Sequence, residues 1–131
     1  MTLYHYLVRL ETVLRSRQDI DIEVLQIDVI TLGVAFTSEL RFHDGSRLTL
    51  VEQLESIGKR DYLRVNYKYH YQDSNRNLIF RYDSAPHHPN LAKFPAHKHV
   101  GNTIVEADPP DLNDVLAEID GILYPDLDQA G

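Results

Sequence analysis

YLRVNYKYHYQDSNRNLIFRYD, residues 62–83, has the clearest strand pattern in this chain. Apolar or aromatic side chains alternate with polar ones through its first half, and the polar run at 73–76 separates that half from a second strand-like stretch. Alternation with period two is typical of a strand with one buried face, so the segment predicts an antiparallel hairpin. The predicted pairs are Tyr71 with Leu78, Tyr69 with Phe80, and Tyr67 with Tyr82.

This register puts every large ring on one side of the hairpin, and a slip of one residue would mix the two faces. The other side is polar and mostly basic. It is predicted to carry Arg64, Asn66, Lys68, His70, Ile79, Arg81 and Asp83.

The two ends of the chain are predicted to be helical. Thr2 is a suitable N-cap for a helix that reaches about Arg17, and Pro109-Pro110-Asp111 is a suitable start for a second one. Apolar residues recur at helical spacing in both segments. The first face is Leu3, Tyr6, Leu7, Leu10, Val13 and Leu14; the second is Leu112, Val115, Leu116, Ile119 and Ile122.

Strand patterns fill the region between the first helix and the hairpin. Period-two alternation begins at Ile20 and continues irregularly to Phe36. A further hairpin is predicted over residues 40–50, with Gly45 in the left-handed position of a three-residue loop at 44–46. Its predicted pairs are Leu40 with Leu50 and Phe42 with Leu48.

These elements predict a two-layer α+β fold in a single domain covering residues 1–131. An antiparallel β-meander is flanked by an N-terminal and a C-terminal helix, and the helices cover the tyrosine-rich face. Residues 84–110 hold five of the six prolines and little periodicity, so they are predicted to form a long loop.

Charge is distributed unevenly along the chain, whose net charge is −7. Residues 59–103 carry eight lysines and arginines against three aspartates, a net +5, together with five of the seven histidines. Residues 1–58 carry −4 and residues 104–131 carry −8. A bound phosphate is the simplest reason to gather cations and proton-transfer groups in one segment of an acidic chain.

Composition excludes several classes of protein. The absence of cysteine excludes disulfides, a thiol nucleophile and thiolate metal sites. No apolar run approaches the ~18–20 residues of a membrane span, and the start lacks the pattern of a signal peptide, so we expect a cytoplasmic protein that does not enter a membrane. A pI near 5.4 argues against a protein that coats DNA.

The basic block contains candidate groups for metal-free cleavage of RNA. One imidazole would accept the proton of a 2′-hydroxyl, a second would donate to the leaving 5′-oxygen, and fixed cations would bind the phosphate. His70 is the candidate on a strand, and the second imidazole would come from His87, His88, His97 or His99. Tyr82 and Asp83 would orient the rings. The predicted phosphate ligands are Arg64, Lys68, Arg81 and Lys98.

The same histidines leave a second interpretation open. A divalent zinc, nickel or copper ion accepts three or four imidazoles, so His87, His88, His97 and His99 could hold one, with Asp83 completing the set. The spacing matches no compact metal motif. No other cofactor is predicted.

Three motifs in this block resemble the TumE-type toxin family of bacteria and archaea. They are YHYQD at 69–73, LIFRYDSAPHHP at 78–89 and FPxHKHV at 94–100, and the similarity is dense over about residues 39–123. Ser84 stands where asparagine is expected. The resemblance implies the toxin component of a toxin–antitoxin module, with a cognate antitoxin as partner, and it implies no mechanism.

Two hypotheses of different classes follow. The first is a toxin that acts on RNA as a histidine-dependent ribonuclease. The alternative is a noncatalytic binding module whose basic face docks an acidic protein partner, with or without a histidine-bound metal. A homodimer through an edge strand or the C-terminal helix is open under either hypothesis.

Overall fold

A computed structural model describes residues 1–84 and 95–126. Two helices, α1 (Leu3–Ser16) and α2 (Leu112–Leu123), flank seven strands. The strands are β1 (Ile20–Ile30), β2 (Gly33–Phe42), β3 (Arg47–Ile57), β4 (Asp61–Gln72), β5 (Leu78–Asp83), β6 (His97–Val100) and β7 (Thr103–Glu106). All neighbouring strands are antiparallel and follow one another in chain order, which confirms the predicted α+β fold with a β-meander.

Both helices pack on the same face of the sheet, the one that carries the tyrosines, as predicted. The core therefore lies between one sheet and two helices. Its buried members are Leu10, Leu14, Phe36, Leu40, Phe42, Leu48, Leu50, Tyr67, Tyr69, Tyr71, Phe80, Leu112, Val115, Leu116 and Ile119. The opposite face of the sheet, called the open face below, carries no helix among the described residues.

The helix ends follow the sequence signals. The Thr2 side chain accepts a hydrogen bond from the backbone N–H of His5, and Asp111 and Asp114 form a reciprocal capping box at the start of α2. Arg17 follows α1 and lies 2.7 Å from both Asp19 and Asp120, so it ties the end of α1 to α2. The predicted apolar face of α2 is buried from Leu112 to Ile119. Beyond it, Ile122 is 45% exposed, and Leu123 is partly buried against the core.

The predicted register of both hairpins is wrong by two residues. In the β4–β5 hairpin Tyr71 pairs with Phe80 and Tyr69 pairs with Tyr82. In the β2–β3 hairpin the partner of Leu40 is Leu48. A slip of two preserves which side chains share a face, so the faces predicted for Tyr67–Tyr71 and Phe80–Asp83 remain correct while the pairs change. Ile79 was predicted on the polar face, which is wrong: the register shifts beside it, and it packs against the core. Gly45 has φ +86°, the left-handed conformation that was predicted.

A β-bulge in β4 changes the predicted faces at the start of that strand. Gln53 pairs with Asn66 but Leu54 pairs with Arg64, so Val65 has no partner of its own on β3. The extra residue reverses the alternation before it, and Arg64 and Tyr62 turn to the helix face. The prediction that Arg64 lies on the polar face with His70 is therefore wrong.

Two further differences concern the strands. The irregular stretch from Ile20 to Phe36 is divided by a turn at residues 31–32 into β1 and the start of β2. The prediction of one long loop over residues 84–110 is wrong for its described part, because residues 97–106 form the β6–β7 hairpin. Residues 85–94 lie outside the described part of the chain.

Neither α1 nor α2 is long and apolar enough to cross a membrane; this holds for the part of the chain that the structure describes.

Candidate functional site

Three side chains from adjacent strands form a row across the open face. Arg81 on β5 is the direct cross-strand partner of His70 on β4 and of His99 on β6. Directly opposed residues of an antiparallel pair point to the same side of the sheet. We call His70, Arg81 and His99 the histidine–arginine row. Strand spacing puts the backbones of the two histidines about 10 Å apart, on opposite sides of the arginine.

Asp83 connects this row to a buried histidine. Its Oδ2 lies 3.0 Å from Arg81 Nε, and its Oδ1 lies 2.9 Å from Nε2 of His97, its partner on β6. The side chains of Asp83 and His97 are only 7% and 1% exposed, whereas that of Arg81 is 31% exposed. The Asp83 carboxylate is therefore placed to fix the Arg81 side chain. Arg81 and His99 are more exposed than His97, so they are better placed to contact a ligand.

The hydrogen bonds of the two β6 histidines restrict where their protons lie. A carbonyl oxygen only accepts, so His97 Nδ1, 2.8 Å from Pro95 O, donates to it. A guanidinium only donates, so His99 Nε2 accepts from Arg81 Nη2 at 2.9 Å. His99 Nε2 also lies 3.9 Å from Asp83 Oδ2.

His70, at the other end of the row, has a perturbed acidity. Burial and the positive charges of Arg81 and Lys68 lower the pKa of His70 below its ordinary value, and a hydrogen bond with Gln72 opposes them. A lowered pKa keeps the ring neutral and able to accept a proton near pH 7.

Asp83, His97 and His99 are also the described residues whose donor atoms could hold a metal ion. One ligand atom from each lies within 4.8 Å of the others. Two imidazoles and a carboxylate form a donor set that suits first-row divalent ions.

The structure thus brings together five of the predicted site residues on the open face. Lys68, the cross-strand partner of Asp83, lies beside them and is exposed. The five are His70, Arg81, Asp83, His97 and His99. His87 and His88 lie outside the described residues.

Three predicted site residues lie instead on the helix face. Tyr82 donates a hydrogen bond from its hydroxyl to Glu118 Oε1 at 2.6 Å, and Lys98 Nζ lies 2.9 Å from Glu118 Oε2. Residues on β5 and β6 alternate, so the neighbours of Arg81 and His99 point to the other side of the sheet. Arg64 reaches Tyr69 and the Pro110 carbonyl. These three therefore cannot contact a ligand bound at the histidine–arginine row.

Gln72 was missed by the sequence prediction. Its side chain opposes the burial and the cationic neighbours that lower the pKa of His70. Its signal was its position two residues after His70, which puts both side chains on one face of a strand. The Pro95 carbonyl that fixes His97 was also missed, and local sequence offers no signal for it.

The strands that build this site lie within a region that matches a known protein family. The family model for toxin TumE matches residues 7–123. The chain belongs to the TumE toxin family. This confirms the family that the resemblance predicted, and the match includes β4, β5 and β6, the three strands of the histidine–arginine row. No curated protein and no solved structure matches the chain.

Proposed function

We propose that this member of the TumE toxin family is a ribonuclease that cleaves RNA by metal-free acid–base catalysis at the histidine–arginine row. One observation carries the proposal: two imidazoles flank a single guanidinium on the same face of three adjacent strands. In-line cleavage of RNA needs a base on one side of a phosphate and an acid on the other. RNA in the cytoplasm would be the substrate.

His70 is the general base of the proposed reaction. Its pKa is lowered by burial first and by Arg81 and Lys68 second, so the ring is neutral where the reaction runs. It removes the proton of the 2′-hydroxyl as that oxygen attacks the adjacent phosphorus. The base is active above its pKa, so the rate is expected to fall as the pH decreases through this lowered pKa.

Arg81 binds the phosphate and stabilises the charge that develops on it. The Asp83 carboxylate holds Nε at 3.0 Å, which leaves the outer nitrogens to face the ligand. When a phosphate oxygen replaces His99 as the partner of Arg81 Nη2, His99 Nε2 is released and can take up a proton.

His99 then donates that proton to the 5′-oxygen as the bond from phosphorus to this oxygen breaks. The Asp83 carboxylate, 3.9 Å from His99 Nε2, stabilises the protonated ring. The products are a 2′,3′-cyclic phosphate and a free 5′-hydroxyl.

The test is cleavage of total RNA by the purified protein in the presence of EDTA. We expect fragments, and we expect His70→Ala and His99→Ala each to lower the rate about 100-fold or more, the typical contribution of a general acid or base. The melting temperature should stay nearly unchanged. His5→Ala is the matched control, because His5 is an exposed histidine on α1, on the helix side of the sheet. Full activity of His70→Ala would refute the assignment.

A noncatalytic docking module is the second candidate. Lys59, Arg60 and Lys68 are exposed cations that could contact an acidic segment, and the cognate antitoxin is the expected partner. Under this proposal the protein binds its antitoxin with a strong salt dependence, yields no RNA fragments, and inhibits growth equally well with alanine at His70.

A further inference from the structure

We infer that Asp83, His97 and His99 form a binding site for one divalent transition-metal ion of the zinc type. The site is a property of the fold and stands whether or not the protein cleaves RNA. Three independent observations support it: the convergence of the donor atoms, the hydrogen bond of His97, and the chemistry of the donors.

The donor atoms converge because the backbone holds them in register. Asp83 and His97 are direct cross-strand partners, and His99 follows His97 by two residues, so all three side chains share the open face. Their ligand atoms lie within 4.8 Å of one another. Zinc binds nitrogen and oxygen ligands at about 2.0–2.2 Å, so side-chain adjustments of about 1 Å would bring all three into contact with one ion.

His97 has the hydrogen bond that is typical of a metal-ligating histidine. Its Nδ1 donates to the Pro95 carbonyl at 2.8 Å, which fixes the ring and aims Nε2 at Asp83. Metal-bound imidazoles almost always donate their second nitrogen to a carbonyl or carboxylate in this way. Nε2 and Asp83 Oδ1 are 2.9 Å apart, and a cation bound between them would offset the repulsion of their lone pairs.

The donor set selects the class of ion. Two imidazoles and one carboxylate suit zinc, nickel, copper or iron, whereas magnesium and calcium prefer oxygen ligands only. Three protein ligands leave a fourth position for water or another ligand.

Metal binding requires a change at Arg81. Its Nη2 donates to His99 Nε2 at 2.9 Å and must move away before that nitrogen can bind an ion. The side chain of Arg81 is 31% exposed, so this rotation is open to it while Nε keeps its contact with Asp83.

A bound ion would occupy the nitrogen that donates the proton in the proposed cleavage. Zinc is therefore expected to inhibit cleavage and EDTA to restore it; this consequence alone rests on the proposed function. Zinc binding without inhibition would refute the role of His99 as the acid and would leave the metal site intact.

The test of the site is the affinity of the full chain for zinc chloride, measured by competition with a chromophoric zinc indicator. We expect one tight site in the wild-type protein, at least about 10-fold weaker binding in His99→Gln and Asp83→Asn, and no competition by magnesium. His70→Gln is the matched control, because it removes an imidazole from the same face but not from the site. It should bind zinc like the wild type.

Asp83 is buried, so Asp83→Asn can fail to fold. His99 is more exposed, so His99→Gln is expected to fold and still tests the site. Circular dichroism of each variant shows which ones are folded. Absence of tight zinc binding to the wild-type protein would overturn the inference and leave a proton between Asp83 and His97. Equal affinity of His99→Gln and the wild type would overturn it as well.

Discussion

At the scale of single residues, Arg81 organises the candidate site. Its Nε contacts Asp83, its Nη2 donates to His99, and its charge lowers the pKa of His70. One guanidinium thus fixes the position of one histidine and, after burial, lowers the pKa of another. Its planar set of fixed donors allows this, and a lysine could not replace it in both roles.

We predict that Arg81→Gln raises the pKa of His70 toward its ordinary value, because the variant removes a positive charge that disfavours the protonated ring. The measurement is an NMR titration of the His70 ring protons. As the base is then protonated at a higher pH, the acid limb of any cleavage profile should move upward with it.

Arg41→Gln is the control for this titration, since Arg41 is an exposed arginine on β2 paired with Asp21 on β1. It should leave the His70 titration unchanged. An Arg81→Gln variant whose His70 also titrates as in the wild type would show that the ring lies outside the field of Arg81.

The individual residues were predicted with uneven success. Period two along β4 and β5 was sufficient to place His70 and Arg81 on one face. Lys98 was assigned to the phosphate from its charge alone, but it alternates with His97 and His99 and so lies on the other side, against Glu118. Only the knowledge that residues 97–100 form a strand would have shown this.

At the scale of elements, the bulge in β4 is the feature that sequence patterns could not predict. Apolar Val65 fits the alternation as well as any buried residue, yet it is the unpaired extra residue between Arg64 and Asn66. Its effect is to send Arg64 into the helix layer, where the guanidinium lies 4.4 Å from the Tyr67 ring centre. A cation that looked like a phosphate ligand is therefore structural.

The pairing register of the two hairpins could not be predicted for a different reason. Shifting a strand by two residues leaves each face intact, so hydrophobic pattern cannot distinguish the two pairings. Turn geometry decides between them. In the β4–β5 turn, Asp73 Oδ1 accepts from the backbone N–H groups of Asn75 and Asn77, which fixes a turn longer than a two-residue loop.

Glu52 links the sheet to both helices through a buried network. It is fully buried on β3, and its carboxylate accepts hydrogen bonds from the hydroxyls of Tyr6 on α1 and Tyr69 on β4. Tyr69 in turn accepts from Arg64, which also donates to the Pro110 carbonyl before α2. Burial, and the charge of Glu52 after it, raise the pKa of both tyrosines.

We predict that Glu52→Ala lowers the free energy of unfolding by about 3 kcal/mol, because two buried tyrosine hydroxyls lose their acceptor. The measurement is urea denaturation. Glu39→Ala, which removes an exposed glutamate from β2, should change the stability by no more than about 0.5 kcal/mol. Equal effects of the two substitutions would contradict the network.

At the scale of the whole molecule, the meander separates two electrostatic environments. The helix layer contains α2, which carries Asp114, Glu118 and Asp120 and no lysine or arginine. The open face carries the histidine–arginine row. An approaching polyanion is therefore expected to meet the open face, and its binding should weaken steeply with salt.

The sequence was sufficient for this overall plan but not for its details. Helical spacing at both ends and alternation between them predicted two helices on the tyrosine face of a meander. The β6–β7 hairpin was not predicted, because each of its strands has only four residues and the hairpin follows a proline-rich stretch. Such short strands are defined by pairing with their neighbours, β6 with β5 and β7 with β6, rather than by their own pattern. The convergence of His97 with Asp83 could therefore not be derived.

In the proposed ribonuclease, the two histidines of the row act on one RNA phosphate held by Arg81. The most direct measurement is end-group analysis of an RNA oligonucleotide after incubation with the protein in EDTA, beside the same strand carrying a 2′-deoxy sugar at each cleaved position. We predict fragments that end in a 2′,3′-cyclic phosphate and begin with a 5′-hydroxyl, and an intact deoxy-substituted strand. Fragments with a 3′-hydroxyl and a 5′-phosphate, or cleavage of the substituted strand, would show that the 2′-hydroxyl is not the nucleophile and would refute the proposed roles of His70 and His99.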